Sequence, residues 1–264
     1  MTSGEEVLRD LALASRGLLT LADPLQSSDD PSLQDQENWN HAVPLDWQLQ
    51  LRFLWVSAAD AFDLVANTLP VRVSASLLAQ IRLLLEHYCI VRWLTDPKQD
   101  HQRRAIGFAA SEVKDVMNVL LKWTGYEADR QPTLDDLQQA DIELQAMAGA
   151  EGLEKVPSMP DMVNAYYKKV AWAFLSDVGS HAGLAPVLVY FLRLDEHKID
   201  LNMHEAFNAR TYFLGMAFEL YALISINICV ARGWAEHAAK IQAHLDATGD
   251  LLKRATQLLQ SIEA

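Results

Sequence analysis

Apolar residues recur at spacings of three and four along almost the whole 264-residue chain. That is the period of helices with one buried face. No run alternates convincingly enough to predict a strand. A first helix is expected over Glu5–Leu21, ending at Asp23-Pro24. Residues 24–44 are rich in Ser, Asp, Gln and Pro and read as a long acidic loop. A second helix is predicted over Leu45–Asn67, with Trp47, Leu51, Leu54, Trp55 and Phe62 as packing positions and Pro70 closing the region. A third covers Val73–Leu94 and stops at Asp96-Pro97, and a fourth covers Gln99–Thr124. A shorter helix is expected to start at a Thr133 cap, with Asp136 three residues on. After a loop over Ala148–Pro160, a helix runs from Met159 or Asp161 to about Asp177. The chain breaks at Gly179–Gly183 and resumes as helix near Ala185-Pro186, ending near Leu194. The last two helices are His204–Arg232 and Trp234–Ser261, split at Gly233. There are no internal repeats. The pattern predicts an all-α protein, a single bundle of eight or nine mostly long antiparallel helices. Residues 1–44 form an N-terminal helix and acidic loop, and residues 45–264 the bundle domain.

Three places on this pattern carry candidate chemistry. In Arg82-Leu-Leu-Leu-Glu86-His87, the arginine and the glutamate are four residues apart and share a helix face. Leu77, Leu78, Ile81, Leu84, Leu85 and Ile90 around them predict burial, and a buried charge is costly unless paired. The plainer alternative is an intrahelical ion pair worth little. Arg103 and Arg104 on the next helix could face back toward the same carboxylates, Glu86 and Asp96. The second place is the break containing Ser176, Asp177, Ser180 and His181. A histidine just before a helix start meets a dipole that disfavours its cation, and neutral imidazole is a base or ligand near pH 7. The alternative is a capping turn in which Ser180 caps and His181 packs. The third is Glu219, deep in the most apolar helix, with Arg210 nine residues earlier on a different face. It requires a partner from another helix, and Arg82 is the expected one. Tyr167 could add a phenol to this centre. His237 and His244 share a face at a spacing of seven and are expected on the surface.

The apolar run Tyr212–Ala231 is long enough to weigh as a membrane span. Glu219 near its middle costs about 2.5–3.5 kcal/mol on insertion scales, so a buried central helix is the expectation. The chain starts without a basic segment followed by an apolar one, so no signal peptide is expected and the reading is cytoplasmic. Cys89 and Cys229 both sit in apolar runs, which predicts neither a disulfide framework nor a cysteine zinc motif. The net charge is −13. It lies in residues 1–50 and 126–161, each with two basic and nine acidic groups. That leaves no basic stripe for nucleic acid, and no membrane partner is expected.

Several chemistries lack their signatures. There is no Asp/Glu-x-x-His for a di-iron bundle, no His-Glu-x-x-His, no phosphate-binding glycine loop, no Gly-x-Ser-x-Gly and no zinc-deaminase motif. No metal and no cofactor are therefore expected.

The set Arg82, Glu86, His87, Trp93, Arg103, Arg104, Tyr167, Leu175-Ser176 and His181 resembles an uncharacterised family of all-helical bacterial proteins of actinomycete type. These carry an Arg-x-x-x-Glu helix and a later helix with Ser and then His. The resemblance covers roughly residues 70–190 and implies a fold and polar positions, but no reaction. Arg82 and His87 also resemble the Arg-x4–6-His motif of HEPN nucleases. That resemblance implies metal-independent RNA cleavage or nucleotide handling at a dimer seam, with His87 or His181 as base and Arg82 on the phosphate. Five helical residues separate Arg82 and His87 by about 140°, so they do not share a face.

The leading expectation is a binding or regulatory protein. It would hold a small polar or anionic ligand at Arg82, Glu86, His181, Ser176, Tyr167 and Glu219. The HEPN-like nuclease is the first alternative, and a structural module for protein–protein contact the second. Whether the chain is an enzyme stays open, and a homodimer is compatible with each reading.

Overall fold

The computed structural model describes residues 4–26, 39–40, 43–44, 46–71, 75–122, 127–149, 152–167, 192–195, 198–201 and 203–260. Among these residues eight helices follow in order: α1 (Gly4–Gln26), α2 (Trp47–Thr68), α3 (Ala75–Leu94), α4 (His101–Lys122), α5 (Glu127–Ala148), α6 (Met159–Tyr166), α7 (Met203–Ala231) and α8 (Ala235–Gln260). The protein is an all-α bundle.

Four boundaries depart from the periodic pattern, one of them at α6, which ends at Tyr166 where a helix to about Asp177 was expected. Helix α1 passes through Pro24 rather than stopping before it. Helix α5 begins at Glu127, ahead of the expected Thr133 cap, and carries Pro132 inside it. Proline there is the sixth residue of the helix and removes one main-chain hydrogen bond. Residues Leu192–Asp195 and Lys198–Leu201 form an antiparallel hairpin, β3–β4, where the end of a helix was expected. The register places Leu192 opposite Leu201, Leu194 opposite Ile199, and Arg193 opposite Asp200. A shorter pair, β1 (Trp39–Asn40) and β2 (Val43–Pro44), lies within the expected acidic loop.

The chain divides into two compact units. The first comprises Met1–Ser27, Leu54–Arg92 and Met159–Ala264. Its axis is α7, which packs along α8 and α1. Phe62 stacks on Tyr221 at 4.6 Å and meets Phe218 edge-on. The indole of Trp55 donates to Ser225 Oγ at 2.9 Å, so a wholly buried hydroxyl keeps a partner. Arg210 donates to the carbonyls of Pro70 and Val71 just past α2. His244 is not a surface residue. Its Nε2–H donates to the Ala14 carbonyl at 2.8 Å, and its ring lies 5.8 Å from that of Phe218. The seam between α7 and α8 is a Schellman turn. Gly233 adopts φ 75°, its N–H donates to Val230 O, and Trp234 N–H donates to Cys229 O.

The apolar Arg210–Ala231 stretch of α7 is long enough to cross a membrane by length and composition, and 72% of its apolar window is buried inside the protein. It is the core helix of this unit.

The second unit comprises Ser28–Phe53 and Trp93–Ser158. Helices α4 and α5 meet through Ala109, Ala110, Val113, Leu137, Ala140 and Leu144. The segment Gly152–Ser158 is laid against α4 at Gly107, where an added Cβ would stand 2.3 Å from the Glu154 carbonyl oxygen. Arg104, buried on α4, holds the same segment. Its Nε donates to Glu154 at 2.8 Å, and its Nη1 reaches the Trp93 carbonyl and lies 3.7 Å from Asp96. The guanidinium also sits 5.0 Å from the centre of the Trp93 ring. Of the carboxylates that Arg104 was expected to face, Asp96 is met, and Glu154 of the covering segment is a further partner.

Candidate functional site

Helix α3 is leucine-rich, and Leu77, Leu78, Ile81, Leu84 and Leu85 are buried as the spacing requires. Arg82 and Glu86 lie on one of its faces, with Arg82 Nε donating to Glu86 Oε1 at 2.8 Å. Each side chain keeps 25% exposure. The ion pair is thus half-buried rather than interred.

One residue on, His87 is buried. Burial lowers its pKa to about 4, and the Leu83 carbonyl one turn back offsets part of that shift. Nδ1 makes no well-formed hydrogen bond. His87 is therefore a neutral imidazole inside the bundle at pH 7. Farther along α3, Arg92 Nη1 donates to Asn227 on α7 at 2.8 Å.

The polar centre that the first unit does form lies on α7. Tyr167, immediately after α6, donates its phenol hydrogen to Glu219 Oε2 at 3.1 Å. Tyr88 of α3 meets the Tyr167 ring edge-on at 5.8 Å. Tyr167 is 5% exposed. Burial first, then the Glu219 charge and hydrogen bond, push its pKa well above the ordinary phenol range. The phenol is accordingly a permanent donor at any physiological pH. Tyr88 is raised as well, chiefly by burial and partly by Glu219, with Arg92 acting in the opposite sense. Glu219 thus takes a partner from another element, as expected, and Tyr167 reaches it from the end of α6.

Tyr167 and Glu219 line a cavity of about 810 Å³. It lies between stripes of α7 and α8. On α7, Tyr212, Met216 and Glu219 recur at helical spacing. On α8, Leu245, Gly249 and Leu252 do the same. The small residues leave the space. A Cβ added at Gly249 would meet nothing within 4 Å. Asp246, Lys253 and Thr256 add exposed polar groups to the lining. The volume lies inside the usual range for small-molecule sites, and so does the mixture of apolar walls with few polar groups. A second cavity of about 230 Å³, lined by Arg103, Met147 and Leu153 among others, belongs to the second unit and is too small for that class.

Of the residues singled out from sequence, Tyr167 and Glu219 are brought together at this cavity. Arg82 and Glu86 pair with each other and are not among its lining residues. Ser176 and His181 lie outside the described residues. Tyr212, Asp246 and Gly249 were missed. Tyr212 precedes Glu219 by seven residues and so shares its face, a signal that was available. Nothing in the α8 sequence marks Gly249 as facing space rather than packing.

No family model matches this chain, and nothing among the curated proteins or the solved structures matches it. Fold and site together define an all-helical bundle with a side-chain-lined cavity beside its central helix.

Proposed function

We propose that this chain is a cytoplasmic helical binding protein that holds a small polar molecule in the α7–α8 cavity. The observation that carries the reading is a carboxylate on the most apolar helix, hydrogen-bonded by a buried phenol and opening on about 810 Å³ of space. Glu219 is a half-buried carboxylate within an otherwise apolar stretch, and packing alone does not call for it. Its presence makes sense if a ligand uses it.

Gly249 supplies the test. Gly249→Met projects a long apolar side chain into the space without a backbone clash. Thermal-shift and native mass-spectrometry screens of polar metabolite-sized compounds are run on the wild type and this variant. The expected result is a ligand that stabilises the wild type and is lost in Gly249→Met, while the unliganded variant unfolds at the same or a higher temperature. A ligand set that binds both proteins equally, or none at all, overturns the reading.

The HEPN-like nuclease reading is less well supported. Arg82 is engaged by Glu86, and His87 is buried away from any polynucleotide. RNA cleavage that is abolished by His87→Ala, in a variant that still folds, would restore it.

A further inference from the structure

We propose that the α7–α8 cavity selects an organic cation, an ammonium or guanidinium group carried on an apolar body. The inference rests on the binding reading above and gives the ligand its charge and shape.

Three observations support it. First, the charges of the described lining favour a cation. Glu219 and Asp246 supply two carboxylates, whereas Lys253 is the single cation among them. The ammonium of Lys253 lies 3.3 Å from Asp250, and its side chain is 77% exposed. Its field is therefore screened by a partner and by water. Arg82, the cation that an anionic ligand would have used, is not part of the lining.

Second, two tyrosines accompany the inner carboxylate. Tyr167 donates to Oε2 of Glu219, and Tyr212 lies seven residues before Glu219 on the same face of α7. The carboxylate attracts a cation and repels an anion, and the Tyr167 phenol holds it in place.

Third, much of the inner wall is apolar. Met216, Leu245 and Leu252 line the space, and Gly249 leaves it open. They suit a hydrocarbon body and would reject a fully hydrated inorganic ion. The Tyr167 phenol fixes the carboxylate from one side and so helps to orient the charged end of the ligand.

The test uses three probes of equal length: n-hexylammonium, 1-hexanol and hexanoate. Each is titrated by calorimetry at pH 7 into the full chain and into Glu219→Gln and Asp246→Asn. Hexylammonium is expected to bind about tenfold or more tighter than hexanol, since a half-buried carboxylate attracts its charge. Hexanoate is expected to bind weakest. Glu219→Gln should bring hexylammonium down to the level of hexanol and leave hexanol unchanged. Asp246→Asn, on the exposed α8 side of the cavity, should reduce hexylammonium only about two- to threefold, because water screens that charge. It serves as the readout should Glu219→Gln fail to fold.

Equal affinity for hexanol and hexylammonium, or preference for hexanoate, overturns the cation inference while the binding reading stands. A preference for hexylammonium that survives both substitutions overturns the assignment of the charge to these carboxylates. Absence of binding by all three probes overturns the inference and the binding reading together.

Discussion

Arg104 on α4 and Glu219 on α7 are both charges held within helical packing, but their surroundings differ. Arg104 is met by Glu154, by Asp96, by the Trp93 carbonyl and by the Trp93 ring, all within the second unit. Glu219 is met by the Tyr167 phenol and opens on a cavity. A charge enclosed by its own unit locks a loop to a helix and has no chemistry to spare. A charge bordering a cavity can be completed by something from outside. Two glycines repeat the contrast. Gly107 lies under the Glu154 backbone, and Gly249 looks into empty space.

The comparison is broken most directly at Arg104. Arg104→Ala strands Glu154 and the Trp93 carbonyl and should cost about 3–5 kcal/mol in urea unfolding. A loss below about 1 kcal/mol would show that the clamp is not structural.

The next effect is the pH dependence of His87. Its native pKa, about 4, lies below the unfolded value of 6.5. The unfolded chain therefore binds this proton first as the pH falls, and stability rises with pH across that window. The contribution is fully present above pH 6.5 and is lost as the pH falls toward 4. Between pH 7.5 and 4.5 the loss should be about 2–3 kcal/mol, from the size of the shift. His87→Leu should flatten that part of the profile. An unchanged slope in this variant would place His87 in contact with water.

The glycines sharpen the contrast by sign. Gly107→Ala must displace the Gly152–Ser158 segment and should cost about 1–3 kcal/mol. Glu86→Ala comes next, at about 1–2 kcal/mol, because its half-buried pair with Arg82 lies between the exposed and interred limits. A loss of more than about 3 kcal/mol would mean that the pair is sealed from water and belongs with Arg104. The smallest effect has the opposite sign. Gly249→Ala should stabilise by about 0.5–1 kcal/mol, since a helical glycine is replaced where nothing opposes the methyl. Destabilisation there would show that the space is filled by packing.

The helices were legible because one-sided burial imposes a period of 3.6 along the chain, and α2, α3, α4, α7 and α8 all carry it within one to two residues of their ends. Pro24 misled as a helix stop, because α1 passes through it at the loss of one main-chain hydrogen bond near its end. The β3–β4 hairpin carries alternation only four residues long, too short to outweigh the apolar run before it. Tyr167 and Glu219 were legible as polar groups in apolar surroundings, since burial makes each demand a partner. Which partner each found was not legible. Arg82 stands directly before three leucines on α3 and Arg104 three residues past the start of α4, and nothing local distinguishes a half-open pair from a closed clamp. That choice was made when Gly152–Ser158 folded over α4 and Tyr167 was carried to α7. Hydrophobic period is a property of neighbours in sequence, whereas the satisfaction of a charge and the emptiness beside a glycine depend on elements that meet only in the folded chain.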